Sequence, residues 1–179
     1  MRYCMIKYLR LYISPFFLSK YYIRRDLADA ILKFKISGSI VDIGCGTKPY
    51  RNLFKAADEY RGIDYKNYSA NKDFKELLPD YFFNNSYSSN FHLPFKNNQF
   101  ENSVAFQVLE HHKNPENLIT EMFRIIKPGG YIILSFPFLG GVHESPNDYC
   151  RFTRYMLEYF VRNNGGTIVH FKNQGSLFS

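Results

Sequence analysis

The stretch Ser39-Ile40-Val41-Asp42-Ile43, followed by Gly44-Cys45-Gly46-Thr47, limits the fold more than any other part of this sequence. A short apolar run bounded by a turn reads as a buried strand. Gly44 and Gly46 make that turn and remove side chains where a ligand must approach the backbone closely. Pro49, followed by Tyr50-Arg51-Asn52-Leu53-Phe54, then opens a short helix. Strand, glycine turn and helix together begin a parallel α/β unit, in which ligands bind beyond the carboxyl ends of the strands.

The rest of the chain alternates in the same way. Asp26-Leu27-Ala28-Asp29-Ala30-Ile31-Leu32 has helical spacing and is ended by Ser37-Gly38. Tyr60-Arg61-Gly62-Ile63-Asp64 reads as a second strand, ending in a carboxylate. Residues 67 to 90 are polar and rich in Ser and Asn, with Tyr81-Phe82-Phe83 as a third strand among them. Asn102-Ser103-Val104-Ala105-Phe106 is a fourth. Pro115 to Ile126 places Leu118, Ile119, Met122 and Ile126 on one helical face, and Lys127-Pro128-Gly129-Gly130 stops it. Tyr131 to Phe136 is a buried-type strand closed by Pro137. Thr153 caps a helix through Phe160 and Val161, ended by Asn164-Gly165-Gly166. Thr167-Ile168-Val169-His170-Phe171 is expected as a last strand. Such alternation implies a mostly parallel sheet covered on both faces.

Composition narrows the class. With 179 residues, 45% hydrophobic and 22% charged, the chain suits one globular domain rather than a disordered one. The net charge is +7, and Arg2, Lys7, Arg10, Lys20, Arg24 and Arg25 near the start are interleaved with tyrosines and phenylalanines. That arm reads as a helical cap with solvated charges, or as a surface for anionic membrane or RNA. Lys7, Arg10, Pro15 and Lys20 interrupt it too often for a membrane span. It has no clean apolar core with a small-residue cleavage site, so no signal peptide is read. Cys4, Cys45 and Cys150 are too few and too scattered for a disulfide framework or a zinc site. A cytoplasmic location is the default.

Three features fall at strand ends. Asp42 to Gly46 offers a glycine turn and a negative charge suited to an ammonium or sulfonium. Asp64, about twenty residues on, can accept hydrogen bonds from both hydroxyls of a ribose. Gln107, in the turn after Phe106, completes the pocket. A nicotinamide-binding protein with three spaced glycines is the leading rival. Here Pro49, after Lys48, stands where the third glycine would be.

The residues from Val41 to Thr47 resemble motif I of the class I methyltransferases. Asp64 sits where that family places its ribose-binding acid. Leu93-Pro94-Phe95, Gln99-Phe100-Glu101, Val108-Leu109-Glu110-His111 and Arg124 to Gly130 follow in family order. From about Ser39 to Phe138 the chain resembles the group called methyltransferase type 11. The resemblance implies S-adenosylmethionine as cofactor, with Asp42, Gly44 and Gly46 at its methionine part, Asp64 at its ribose and Cys45 among the cofactor-binding residues. It implies a Rossmann-like three-layer α/β sandwich with a seven-stranded sheet closed by a hairpin. Only one strand follows Phe160 here, so the last strand is expected to be missing and the chain to be truncated. Two positions depart from the pattern. Ser89-Asn90 replaces an adenine-binding Asp, and Asn90 can accept that hydrogen bond through its amide oxygen. Glu101 replaces the frequent Asp after Phe100, a change concerning packing more than chemistry.

The acceptor side is carried by residues 140 to 153, which resemble a His-Glu-x-Pro-x-Asp-Tyr-x-Arg-Phe-Thr stretch of one type 11 subgroup. His143 is the candidate base or acceptor-orienting group, with Glu144, Tyr149 and Arg151 shaping the pocket. The alternative is a structural loop in which Asp148 pairs with Arg151 and Tyr149 packs. His111 reads as loop-fixing and His112 as a further candidate. Adjacent histidines point to different sides and make no metal site without more ligands. The motif of amino-group nucleic-acid methylation is absent. The expectation is a helical arm over 1–36 and a cofactor-binding domain over 37–179. That domain would methylate oxygen or nitrogen of a small-molecule, lipid-linked or saccharide acceptor, with no obligate protein partner. The alternatives are a truncated, non-catalytic binder of S-adenosylmethionine and an RNA methyltransferase using the basic arm.

Overall fold

A computed structural model describes residues 17–65, 78–83 and 91–174. The chain divides into two compact units, one drawn from 1–35 with 170–179 and the other spanning 36–169.

In the first unit, helix α1 spans Phe17–Phe34, longer than the expected 26–32. Ile23, Leu27 and Ile31 recur every four residues and are buried, forming one stripe. Lys35, at φ 52°, turns the chain out of the helix. Asp26 on α1 accepts hydrogen bonds from Arg25 Nε, Lys172 Nζ and Gln174 Nε2 at 2.8 to 3.0 Å. No helix among the described residues is long and apolar enough to cross a membrane.

The second unit holds a parallel sheet of β1 (Ser39–Ile43), β2 (Glu59–Tyr65), β3 (Tyr81–Phe83), β4 (Phe100–Phe106) and β5 (Ile126–Ser135). Its order is β3-β2-β1-β4-β5, every pair parallel. β1 is central, so Ile40, Val41 and Ile43 are buried, which accounts for its unbroken apolar run. The chain steps from β1 to β2 and β3 on one side, then returns to β4 on the other. The crevice between the carboxyl ends of β1 and β4 is therefore the switch point where ligands bind in such sheets.

Helix α2 (Pro115–Ile125) forms where the periodicity places it. Asn114 caps it by accepting from Asn117 N at 3.1 Å, and Leu118, Ile119, Met122 and Ile125 are buried in the core. Glu121 of α2 accepts from Leu93 N at 2.7 Å, and Arg124 donates to the carbonyls of Leu93 and Phe95. That network pins Leu93-Pro94-Phe95 to the helix, with both apolar side chains buried. The Leu-Pro-Phe motif thus has a packing role.

Two expectations need correcting. The Lys127–Gly130 segment does not lie between helix and strand but within β5, because Ile126 already pairs with Phe100. The next pair is Asn102 with Tyr131, so 127–130 bulges out of the ladder. Gly129 takes φ 84° there, and a Cβ on Gly130 would lie 2.0 Å from the Glu101 carbonyl oxygen. Gly130→Ala should therefore cost on the order of 3 kcal/mol, because backbone must move. Gly129→Ala, with nothing within 4 Å of its Cβ, should cost only ~1 kcal/mol for its positive φ. Urea midpoints of the two variants check the contrast.

The second correction concerns Thr167–Phe171, which pairs with no strand among the described residues. Strand propensity is realised only where a partner ladder is available. Here the His170 ring meets Phe34 at 5.9 Å, and Lys172 and Gln174 bond to Asp26. Helix α3 (Arg154–Asn163) forms as expected, capped by Thr153, which accepts from Met156 N. It ends in Gly165 at φ 76°, with Gly166 N donating to Val161 O and Gly165 N to Arg162 O.

Glu101 sits at the opposite end of the sheet from the crevice. It accepts from Ser39 N at 2.8 Å and pairs with Lys127, as a packing role requires.

Candidate active site

The glycine turn is held by backbone bonds across the strand ends. Gly44 N and Cys45 N both donate to Ile63 O, at 2.9 and 3.2 Å. Gly44 has φ 65°, and a Cβ there would come within 2.5 Å of Val108 Cγ2. The turn after β1 and the turn after β4 are therefore in contact, and only glycine fits between them. Cys45 is buried beside Gly62, and burial pushes its thiol pKa up, so it lines the turn as a small apolar group.

Asp64 closes the end of β2. Its carboxylate accepts from Gly46 N at 2.6 Å and from Tyr65 N at 2.6 Å. Among the described residues no cation pairs with it, and burial raises its pKa despite the two N–H donors. A half-buried carboxylate in that position can accept further hydrogen bonds.

Asp42 is less simply placed than its motif position suggests. It is 2% exposed and accepts from Tyr60 Oη at 2.6 Å. Burial pushes its pKa up to about 7, with Tyr60 opposing the shift and the neighbouring Asp64 adding to it. Its negative charge is therefore conditional near neutral pH rather than fixed. Lys48, at φ 53°, buries its side chain and pairs with Asp80 at 2.8 Å, and Asp80 also accepts from Gly62 N at 2.7 Å. Lys48 thus ties the turn to the start of β3.

The third strand end carries Gln107, at φ 57°, whose N donates to Ser135 O at 2.8 Å. Beyond it lies a 3-10 turn over Leu109–His111. Glu110 is 0% exposed, and neither of its carboxylate oxygens has a hydrogen-bond partner among the described residues. Burial raises its pKa. His111 Nε2 lies 3.8 Å and His143 Nε2 3.9 Å from Glu110 Oε1. The two imidazoles meet edge to face, with centroids 4.9 Å apart. His111 Nδ1 is 2.7 Å from Asn147 O. His112 turns the other way, buried against Phe91, with its Nδ1 accepting from Asn114 N.

His143 reaches this point through the loop after β5. Its backbone N donates to Asp148 Oδ2 at 3.0 Å, and Arg151 Nη2 holds the same oxygen at 2.8 Å. The Asp148–Arg151 pair is present, and what it positions is His143. Glu144 is exposed, with a carboxylate oxygen 3.8 Å from His111 Nε2. Tyr149 N donates to Glu110 O, and its hydroxyl donates to Asn147 Oδ1 at 3.0 Å.

Asp42, Gly44, Cys45, Gly46, Asp64 and Gln107, and with them His143, Glu144, Tyr149 and Arg151, all lie in the unit spanning 36–169. Asn90 lies outside the described residues. Residues 41–134 match a family model described as a methyltransferase domain. The chain belongs to the class I S-adenosylmethionine-dependent methyltransferases.

A curated member of this group, an uncharacterized chloroplastic methyltransferase of Arabidopsis thaliana, is 23% identical over 160 residues. That match takes in 80% of this chain but only 42% of the plant protein, so the chain spans less than half its length. Among solved structures, magnesium protoporphyrin IX methyltransferase of Synechocystis, crystallised with S-adenosylhomocysteine, superposes with TM-score 0.67 at 14% identity. It covers 98% of this chain and 90% of its own. The Bacillus subtilis YcgJ protein gives 0.56 at 15% identity, over 78% of this chain and 68% of its own. Such identities show the shared class I methyltransferase fold.

Glu110, Tyr60 and Asp80 carry no sign of their surroundings in the sequence. A motif match singles out a residue without saying what surrounds it. The surroundings of Glu110 come from a loop over thirty residues away, so no local spacing reveals them.

Proposed function

We propose that this chain binds S-adenosylmethionine at the Asp42–Gly46 turn and Asp64, and passes its methyl group to an oxygen or nitrogen of an acceptor held beside His143. The observation that carries the reading is Asp64, whose carboxylate accepts from Gly46 N in the glycine turn and has no cationic partner among the described residues. In this reading Asp64 holds the ribose hydroxyls, Asp42 faces the positive methionine end, and Gly44, Cys45 and Gly46 leave room for the cofactor along the backbone. When bound, the cofactor supplies an electrophilic methyl on a sulfonium for in-line displacement. The protein's part is alignment and exclusion of water, plus removal of a proton where the nucleophile is a hydroxyl. His143, steadied by Asp148, is the group placed to take that proton.

The loop that carries His143 also exposes Phe138, Leu139 and Val142, at 62, 86 and 79%. Adjacent apolar side chains at the mouth favour an acceptor with an apolar portion, and thus a lipid-linked one among the small-molecule, lipid-linked and saccharide classes. Transfer of labelled methyl from S-adenosylmethionine to polyprenyl-linked sugars, free sugars, small hydroxylated compounds and RNA tests this choice. Label in the lipid-linked fraction is the expected outcome, and label in RNA alone would replace it with the nucleic-acid reading. With the accepted substrate, His143→Ala should lower turnover by roughly 100- to 1,000-fold while leaving donor affinity within about twofold. Full turnover in that variant would remove His143 from the mechanism.

A further inference from the structure

We infer that Glu110, His111 and His143 form a site for one divalent first-row transition ion, such as Mn2+ or Zn2+, with its remaining positions open to the acceptor. One ligand atom from each residue lies within 4.8 Å of the others. Atoms sharing one ion lie roughly 3–3.5 Å apart, so the side chains need to close by an ångström or so. Two imidazoles and one carboxylate, leaving open positions, suit Mn2+, Fe2+ or Zn2+ rather than Ca2+ or Mg2+.

Independent support comes from Glu110. A fully buried carboxylate normally has its oxygens satisfied, because an unpaired one is costly. Here neither oxygen has a hydrogen-bond partner among the described residues, and the two histidine Nε2 atoms lie 3.8 and 3.9 Å from Oε1. These distances exceed a hydrogen bond, and a shared cation would satisfy the carboxylate. The outer contacts also fit. His111 Nδ1 sits 2.7 Å from the Asn147 carbonyl, which can only accept, so Nδ1 carries the proton and the Nε2 lone pair faces Glu110. His143 Nδ1 lies 3.3 Å from the Gly141 carbonyl and 3.4 Å from Asp148, itself clamped by Arg151. A carbonyl or carboxylate behind each ligating histidine fixes its tautomer and raises its basicity.

Such an ion would occupy the His143 Nε2 lone pair. With the ion bound, an acceptor hydroxyl is therefore activated by the ion's lowering of its pKa, its proton passing to water, rather than by transfer to His143. This use of the ion rests on the methyl-transfer reading, whereas the binding of the ion does not. The test titrates Mn2+ into the chelator-dialysed full chain, followed by the electron paramagnetic resonance of free Mn2+, with Zn2+ as competitor. One Mn2+ per chain, displaced by Zn2+, is expected. Glu110→Gln and His143→Ala should each weaken it roughly 100-fold, and Asp148→Asn about 10-fold. His143 lies on a loop, so that variant stays informative if Glu110→Gln fails to fold, as circular dichroism would show. No binding of Mn2+ or Zn2+ at millimolar concentration, or binding unchanged in a folded His143→Ala chain, overturns the site. Mn2+ binding by a chain that fails to bind S-adenosylmethionine would leave the site standing while removing the proposed function.

Discussion

Replacing Asp64 with alanine is expected to weaken S-adenosylmethionine binding by about a hundredfold to about ten-thousandfold while leaving the chain folded. Two ribose hydroxyls bonded to one charged carboxylate contribute about 1.5–3 kcal/mol each, and each 1.4 kcal/mol is about tenfold in affinity. The same carboxylate accepts from Gly46 N at 2.6 Å, so its loss also loosens the turn that must approach the cofactor. Asp64 is only half-buried, so the Gly46 and Tyr65 N–H groups left behind can turn to water, and the cost to stability is about 1 kcal/mol. Asp64→Asn keeps an oxygen for one set of donors and should fall between the two. Calorimetric titration with circular dichroism of each variant measures both effects. An Asp64→Ala chain that binds the cofactor as well as the parent would remove the ribose assignment.

The second large effect is expected at Asp42, with opposite signs for stability and binding. Burial lifts its folded-state pKa from 3.8 to about 7. A carboxyl with a raised pKa binds its proton more tightly when folded. Its contribution is most favourable below about pH 4 and is lost as pH rises toward 7. About three pKa units amount to about 4 kcal/mol at most. Asp42→Asn keeps an oxygen for the Tyr60 hydroxyl and carries no charge to desolvate. It should therefore be more stable than the parent by about 2–4 kcal/mol at pH 8 and nearly equal to it at pH 4. Binding should move the other way. A cationic methionine end favours ionised Asp42, so affinity in the parent should rise up to about tenfold per pH unit through 6 and level off above 7. The Asn variant should bind weakly and without that slope. Urea denaturation at pH 4 and 8, with cofactor titrations across that range, decides the matter. A variant less stable than the parent at pH 8 would contradict the account. An Asp held at the site despite such a cost is the usual signature of function traded against stability.

The outcome at Asp42 shows what the sequence could and could not reveal. Its place at the end of a buried strand was readable from the apolar run and the glycines after it. The Tyr60 hydroxyl that engages it was not, because that contact depends on the parallel register of β1 with β2. Asp64 was readable for a related reason, since a carboxylate at the next strand end falls at the sheet's carboxyl edge whatever the loops do. Tyr81-Phe82-Phe83 was readable as a strand within a polar region because aromatic residues favour strands, although Tyr81 and Phe82 remain exposed there. The last strand misled, because Ile168, Val169 and Phe171 carry strand propensity that only a partner ladder could realise. Lys127-Pro128-Gly129-Gly130 misled in a different way. Its residues stop a helix, as read, but Ile126 had already joined β5 before them, and the two glycines serve a bulge. The acceptor side was readable only as a list of polar residues. Its geometry rests on contacts such as His143 with Glu110 and His111 with Asn147, which join segments 30 or more residues apart.

Donor binding by the whole chain tests the central claim most directly. Isothermal titration with S-adenosylmethionine and with S-adenosylhomocysteine should give one site per chain for each, with micromolar affinity, and S-adenosylmethionine should bind more tightly at pH 8 than at pH 6. Absence of binding of either compound at millimolar concentration, with a folded chain in the cell, would contradict it.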